Sequence, residues 1–145
     1  MTESKLSEAT DFKFDSQADT NAGVMRLETV TFILSTAPYG DEKIWNALRL
    51  AKALTVGTDK MKVNIFLIGD AVTAAKKGQK PPEGFYNLGM MLKELIDQGS
   101  PVVACRTCIN ARGVTKDELI EGVRVGTTSG DLVGWVKTSQ KVISF

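Results

Sequence analysis

Residues 102–113, VVACRTCINARG, run from a short apolar stretch directly into a helix-compatible segment and carry the chain's only two cysteines, Cys105 and Cys108. An apolar, β-branched run that passes at once into a helix is the repeating joint of a parallel sheet buried on both faces. The same joint sets a thiol at the tip of a strand, where the backbone N–H groups of the first helical turn favour thiolate over thiol. Fold and chemistry therefore both start from this stretch.

Working outward, LETVTFILS (27–35) and KVNIFLIG (62–69) read as two further buried strands. Between them Asp41 caps a helix whose apolar face is Ile44, Ala47, Leu48, Ala51 and Leu54, ending near Gly57. AVTAAKKG (71–78) is small and helix-compatible, and GQKPPEGFYN (78–87), with Pro81, Pro82, Gly78 and Gly84, is a long crossing loop. Asn87 caps the next helix, lined by Leu88, Met91, Leu92, Leu95 and Ile96 and stopped by Gly99. PVVAC (101–105) is the third strand, and the short helix begun near Thr107 ends at Arg112 and Gly113. Thr115 with Glu118 forms a capping-box pattern for TKDELIEG (115–122). VRVG (123–126) is short and strand-like. Thr128 caps a last helix that buries Leu132, Trp135 and Val136, and KVISF (141–145) closes the chain as a fifth strand. The alternation predicts an α/β fold in which a five-stranded, mostly parallel sheet is covered on both faces. In the common doubly wound order 2-1-3-4-5, the crevice lies between strands one and three, under the loops STAPYGD (35–41) and CRTC (105–108).

Composition removes several function classes. Eighteen basic against seventeen acidic residues leave no bias of the kind that nucleic-acid or anionic-membrane binders use, so neither partner is expected. No apolar run approaches the ~20 residues of a bilayer span. The absence of histidine rules out Ser-His-Asp and Cys-His catalytic units within the chain and leaves a zinc site only thiolates and carboxylates. Two cysteines do not make a secreted disulfide framework and no signal-like segment opens the chain, so a cytoplasmic location is expected. Residues 1–23 hold five acidic and two basic residues without core periodicity. They read as a polar, mobile tail, or as an arm that packs on a neighbouring subunit through Leu6, Phe12 and Phe14, ahead of a single domain over 24–145.

At the cysteines the reactive reading stands beside bland ones. Cys105 is expected to be a reactive thiolate with Cys108 as its second thiol, supported by the nearby cations Arg106 and Arg112. The pair could instead be structural, could form a dithiol redox switch, or could hold metal across an oligomer interface as half of a zinc motif. Its late position, after the third strand, argues against a thioredoxin-type arrangement. No cofactor motif is present: STAPYGD, which contains Tyr39, lacks the glycine spacing of a dinucleotide or phosphate loop. Gln79 and Tyr86, on the crossing loop, could lean over the cysteine and restrict water, while Lys76, Lys77 and Lys80 read as a solvated face.

Four blocks in order, TFILSTAPYGDEK, IGDAVTAAKKGQKPPEGFYNLGMML, ACRTCINARG and LVGWVKTSQKVISF, resemble the DsrE/DsrF-like family, including its small YchN-like members. The resemblance covers about residues 29–145. It implies a three-layer α/β sandwich that assembles into trimers or hexamers, with members that carry sulfur as a cysteine persulfide during sulfur relay. In the relay members the carrier cysteine is followed seven and eight residues later by Arg-Gly, here Arg112 and Gly113, so the implied carrier is Cys105. The implied partners are sulfur donor and acceptor proteins or small thiols. The implied activity is that of a persulfide sulfurtransferase, the alternative being an oligomeric interaction or small-ligand-binding protein whose cysteine pair is structural or a redox switch.

Overall fold

In a computed structural model, which describes residues 26–145, three strands rich in buried apolar residues form the middle of a five-stranded sheet and two short, more exposed ones form its edges. The elements are β1 (Thr29–Leu34), α1 (Lys43–Leu54), β2 (Lys62–Leu67), a 3₁₀ helix (Gly69–Ala75), α2 (Leu88–Asp97) and β3 (Val102–Cys105). There follow α3 (Arg106–Ala111), a 3₁₀ turn (Lys116–Glu118), β4 (Arg124–Gly126), a π turn (Thr128–Leu132), α4 (Val133–Thr138) and β5 (Lys141–Ser144). Every strand pairing within the sheet is parallel. The expected tail over residues 1–23 lies outside the described residues.

The strand order is β4-β3-β2-β1-β5, which corrects the expected 2-1-3-4-5. The reason is burial. Val63, Ile65, Phe66 and Leu67 of β2 are all buried, and as an edge strand β2 would expose them, whereas three-residue β4 and the largely exposed β5 lose little at an edge. Strands β1 and β3 are consequently not neighbours, and no crevice lies between them.

Strand alternation divides the sheet into two faces. Val30, Phe32 and Leu34 share one face with Val63, Ile65 and Leu67, in register across β1 and β2, and α1 and α2 pack there through Ile44, Ala47, Leu48, Ala51, Leu88, Leu92 and Leu95. The other face carries Thr31, Ile33, Asn64, Phe66 and Val103, and α4 covers it, with Trp135 set edge-on to Phe66 at 6.1 Å between centroids. Polar groups on this face are paired: Asn64 Nδ2 donates to Thr31 Oγ1, which in turn lies 2.7 Å from Ser139 Oγ. Cys105, two residues beyond Val103, belongs to the same face.

Several local expectations shift. Asp41 takes the N–H of Lys43, but the residue at the helix entry is Glu42, in the left-handed region at φ 57°. Asn87 caps α2 through the N–H of Met90, as expected. The Thr115–Glu118 capping box forms, yet it opens only one 3₁₀ turn because Leu119 returns at once to extended backbone. The last helical segment is capped by Thr127 rather than Thr128, and Val136 faces solvent instead of the core.

The packing of α4 on Phe66 yields a stability contrast. Phe66→Ala should cost about 3–5 kcal/mol in denaturant unfolding, as for a fully buried aromatic, while Val136→Ala on the exposed side of α4 should stay within about 0.5 kcal/mol.

Candidate functional site

Three successive connections, β1 to β2, β2 to β3 and β3 to β4, step the same way across the sheet, and the last one, β4 to β5, steps back across β3, β2 and β1. Right-handed crossovers place the first three on one face and the return on the other. Adjacent β3 and β4 thus send their chains to opposite faces, and the crevice of this fold opens above their C-terminal ends. A pocket of about 390 Å³ lies there, lined by Cys105, Thr107, Thr127, Thr128, Ser129 and Val133. The expectation that CRTC borders the crevice holds, but its companion wall is the turn after β4 and not STAPYGD.

That wall is built around a glycine. Gly126 pairs with Cys105 across β3 and β4. A Cβ on it would stand 2.4 Å from Asp131 Oδ2 and 2.7 Å from Val103 Cγ1. The space lets the Asp131 carboxylate fold back on the strand end, where it accepts the N–H of Thr127 at 2.8 Å and the guanidinium of Arg124 at 2.7 Å. Arg124 and that N–H hold the Asp131 carboxyl below the usual carboxylate range, against the opposing effect of burial. The brace is therefore charged at neutral pH and is lost only as pH falls through this lowered value. It sets three hydroxyl side chains, Thr127, Thr128 and Ser129, around the mouth of the pocket.

Cys105 is 5% exposed and occupies the N-cap of α3 with extended backbone. Burial pushes its thiol pKa up. The Thr107 hydroxyl, 3.2 Å away, the Cys108 thiol, and the N–H groups of Cys108 and Thr107 act the other way and together prevail, leaving the pKa lower than that of an ordinary cysteine. Donors that reach a sulfur favour its anion over the neutral thiol. The expected cations contribute by other routes. Arg106 is exposed and acts at range on Asp131, while Arg112 is committed to Asp70 and to the carbonyl of Cys108.

Cys108 is half-buried on the first turn of α3, and its Sγ accepts the N–H of Gly69 at 3.1 Å. Gly113 ends the helix at φ 65°, a left-handed conformation that a side chain would strain, while Val114 N returns to Ile109 O. The Arg112-Gly113 pair thus marks where α3 stops.

Tyr39, Gln79 and Tyr86 are brought together with one another, not onto the pocket wall. The Tyr39 hydroxyl donates to Gln79, whose amide nitrogen donates to the carbonyls of Ala74 and Lys76. Tyr86 stacks on Trp45 at 5.0 Å and on Tyr39 at 6.0 Å. Lys76 pairs with Glu118, and Lys77 bonds the Asp117 carbonyl. Sequence reasoning missed the 127–129 hydroxyls and the Gly126–Asp131 brace because it set the crevice between strands one and three and not above β3 and β4, and it missed Thr107, for which the signal was a hydroxyl two residues after Cys105. Among the described residues no group of three or more His, Cys, Asp or Glu side chains converges as a metal site, and no helix is long and apolar enough to cross a membrane.

The sequence profile of the DsrE/DsrF-like family matches residues 28–145. Protein YchN of Escherichia coli strain K12 is 41% identical over 119 residues, covering 82% of this chain and 100% of YchN. An uncharacterised protein of Methanopyrus kandleri is 44% identical over 119 residues, covering 82% of this chain and 95% of its own. The crystal structure of the E. coli YchN protein superposes with a TM-score of 0.76 over 82% of this chain and all of that one, 100%, at 41% identity. A protein of unknown function from Methanobacterium thermoautotrophicum shares the fold, with a TM-score of 0.67 at 17% identity over 83% of this chain and 100% of that one.

The donors around Cys105 give a pH-dependent test. In a Cys108→Ser background, ultraviolet absorbance of the thiolate should titrate below the range of an ordinary cysteine. Adding Thr107→Val should move that midpoint upward, because the side-chain donor that favours the anion is gone while burial still opposes it.

Proposed function

The chain belongs to the DsrE/DsrF-like family, and on that premise we propose that it is a sulfur carrier holding sulfane sulfur as a persulfide on Cys105. The observation that carries the proposal is a buried thiol with a lowered pKa at the floor of an open, hydroxyl-lined pocket. The thiolate is the nucleophile in thiol–disulfide and persulfide exchange, so it takes the terminal sulfur from a donor persulfide as the donor thiol leaves. The 390 Å³ pocket has room for the added sulfur and for the approaching end of a donor or acceptor. Burial of the rest of the cysteine limits its access to oxidants. Such a reaction is a persulfide sulfurtransfer and needs no resident metal or cofactor. The donor and acceptor are proteins or small thiols.

We place this activity in a homo-oligomer, a trimer or hexamer, in the cytoplasm. Phe85, 61% exposed, lies against Tyr86 of the stack with Tyr39 and Trp45, Met90 is 65% exposed, and apolar surface of this kind favours burial against another subunit. Unpaired Cys105 and Cys108 suit a reducing compartment.

Intact-mass spectrometry after incubation with a small persulfide donor tests the carrier. At the earliest times after mixing, wild type is expected to gain one sulfur atom and Cys105→Ser none. Equal gain by both proteins, or by neither, removes Cys105 as the carrier. Light scattering tests the assembly, where a clean monomer at micromolar concentration would contradict it.

A further inference from the structure

The hydrogen bond from Gly69 to Cys108 is not used by the carrier reaction, and its surroundings are built around it. Gly69 opens the 3₁₀ helix after β2 in the left-handed region, at φ 56°, and a Cβ there would come within 3.4 Å of the Ser35 carbonyl. The next residue, Asp70, accepts Nε and Nη2 of Arg112 at 3.1 and 2.8 Å, and Nη1 of the same guanidinium donates to the Cys108 carbonyl at 3.1 Å. Arg112 therefore ties the peptide that presents the Gly69 N–H to the residue that bears the second thiol. The Gly69 N–H thus holds the Cys108 sulfur in one place beside the start of the helix.

Cys105 at the N-cap and Cys108 on the first turn of α3 face one corner, as N-cap and N3 residues do. Side chains three apart on a helix have Cβ atoms about 5–6 Å apart, and a disulfide needs about 3.5–4.5 Å. The extended backbone at Cys105, φ −62° and ψ 125°, leaves that residue outside the helical repeat and free to close the difference.

We propose that Cys108 discharges the persulfide on Cys105 within the same chain, releasing hydrogen sulfide and leaving a Cys105–Cys108 disulfide. The inference rests on the carrier reading above. Cys108, losing its proton, attacks the Sγ of Cys105. The Cys105–Cys108 bond forms while the bond from Cys105 to the terminal sulfur breaks, and that sulfur leaves with the electron pair as HS⁻ and takes up a proton. Cys105–S–SH and Cys108–SH become the disulfide and H₂S; the sulfane sulfur is reduced, the two cysteines are oxidised, and no outside oxidant enters. A small thiol or dithiol reductant returns the pair to its starting state. The carrier thus has two exits: transfer to an acceptor that reaches the pocket first, or release of sulfide when none does. Arg112 is a positioning residue for the second exit only.

The test loads wild type, Cys108→Ser, Cys108→Ala and Arg112→Ala with a small persulfide donor, removes the donor, and follows intact mass and free sulfide with time. Wild type is expected to lose its extra sulfur, release stoichiometric sulfide and settle two hydrogens below the starting mass. Both Cys108 variants should load equally and keep the sulfur without releasing sulfide. Arg112→Ala should load as wild type does but discharge about tenfold more slowly, because the tie between Asp70 and the Cys108 carbonyl is gone. A wild-type adduct as long-lived as that of the Cys108 variants, or sulfide release undiminished in them, overturns the proposal while leaving the carrier intact. Loading and discharge that fall together in Arg112→Ala, or an unchanged discharge rate, remove its positioning role. If no protein gains sulfur, the carrier reading itself fails.

Discussion

The handedness of parallel crossovers is the constraint on which this site depends. Three connections step one way along the sheet and the fourth returns, so right-handedness sends the fourth across the opposite face. The parting of the two paths falls between β3 and β4, and the residue at the tip of β3 is Cys105. Gly126 then has to lack a side chain, since the carboxylate that shapes the opposing turn occupies the place of its Cβ. Pocket, thiol and hydroxyl wall all follow from the direction of one return connection.

The two cysteines are unequal because different backbone segments serve them. Cys105 is held by groups of its own helix start, Thr107 and the N–H groups of Thr107 and Cys108, which lower its pKa despite burial. Cys108 is addressed from across the fold by Gly69, at the end of the neighbouring strand β2. A pair separated by two residues thus has one thiol inside a pocket and one at a clamp. The Arg-Gly spacing that resembles sulfur-relay proteins has a physical reading here: Arg112 joins α3 to the 3₁₀ helix through Asp70, and Gly113 stops α3 with left-handed backbone.

Much of the fold was legible in the sequence. The five strands, the cap of Asn87, the box of Thr115 and Glu118, and the end of α3 at Arg112-Gly113 each rest on local periodicity or local hydrogen bonding, which a single sequence exposes. Strand order is different, because it depends on which apolar runs need two neighbours. That signal lies in the brevity of VRVG against the consecutive buried Ile65, Phe66 and Leu67 of β2, which call for a strand on either side. The error carried into the site: with β1 placed beside β3, the STAPYGD loop with Tyr39 was expected to border the same crevice as Cys105, whereas Tyr39 bonds Gln79 of the crossing loop. Cys105 itself was legible because its place at a strand tip does not depend on which strand lies beside it.

The central claim is that the sulfur is carried by Cys105 and not by Cys108. It is tested most directly by a brief pulse of persulfide donor on the wild-type protein, quenched in acid before exchange, with fragmentation of the peptide that spans both cysteines. The account predicts the added sulfur on Cys105. Finding it on Cys108, with Cys105 unmodified, would contradict the account.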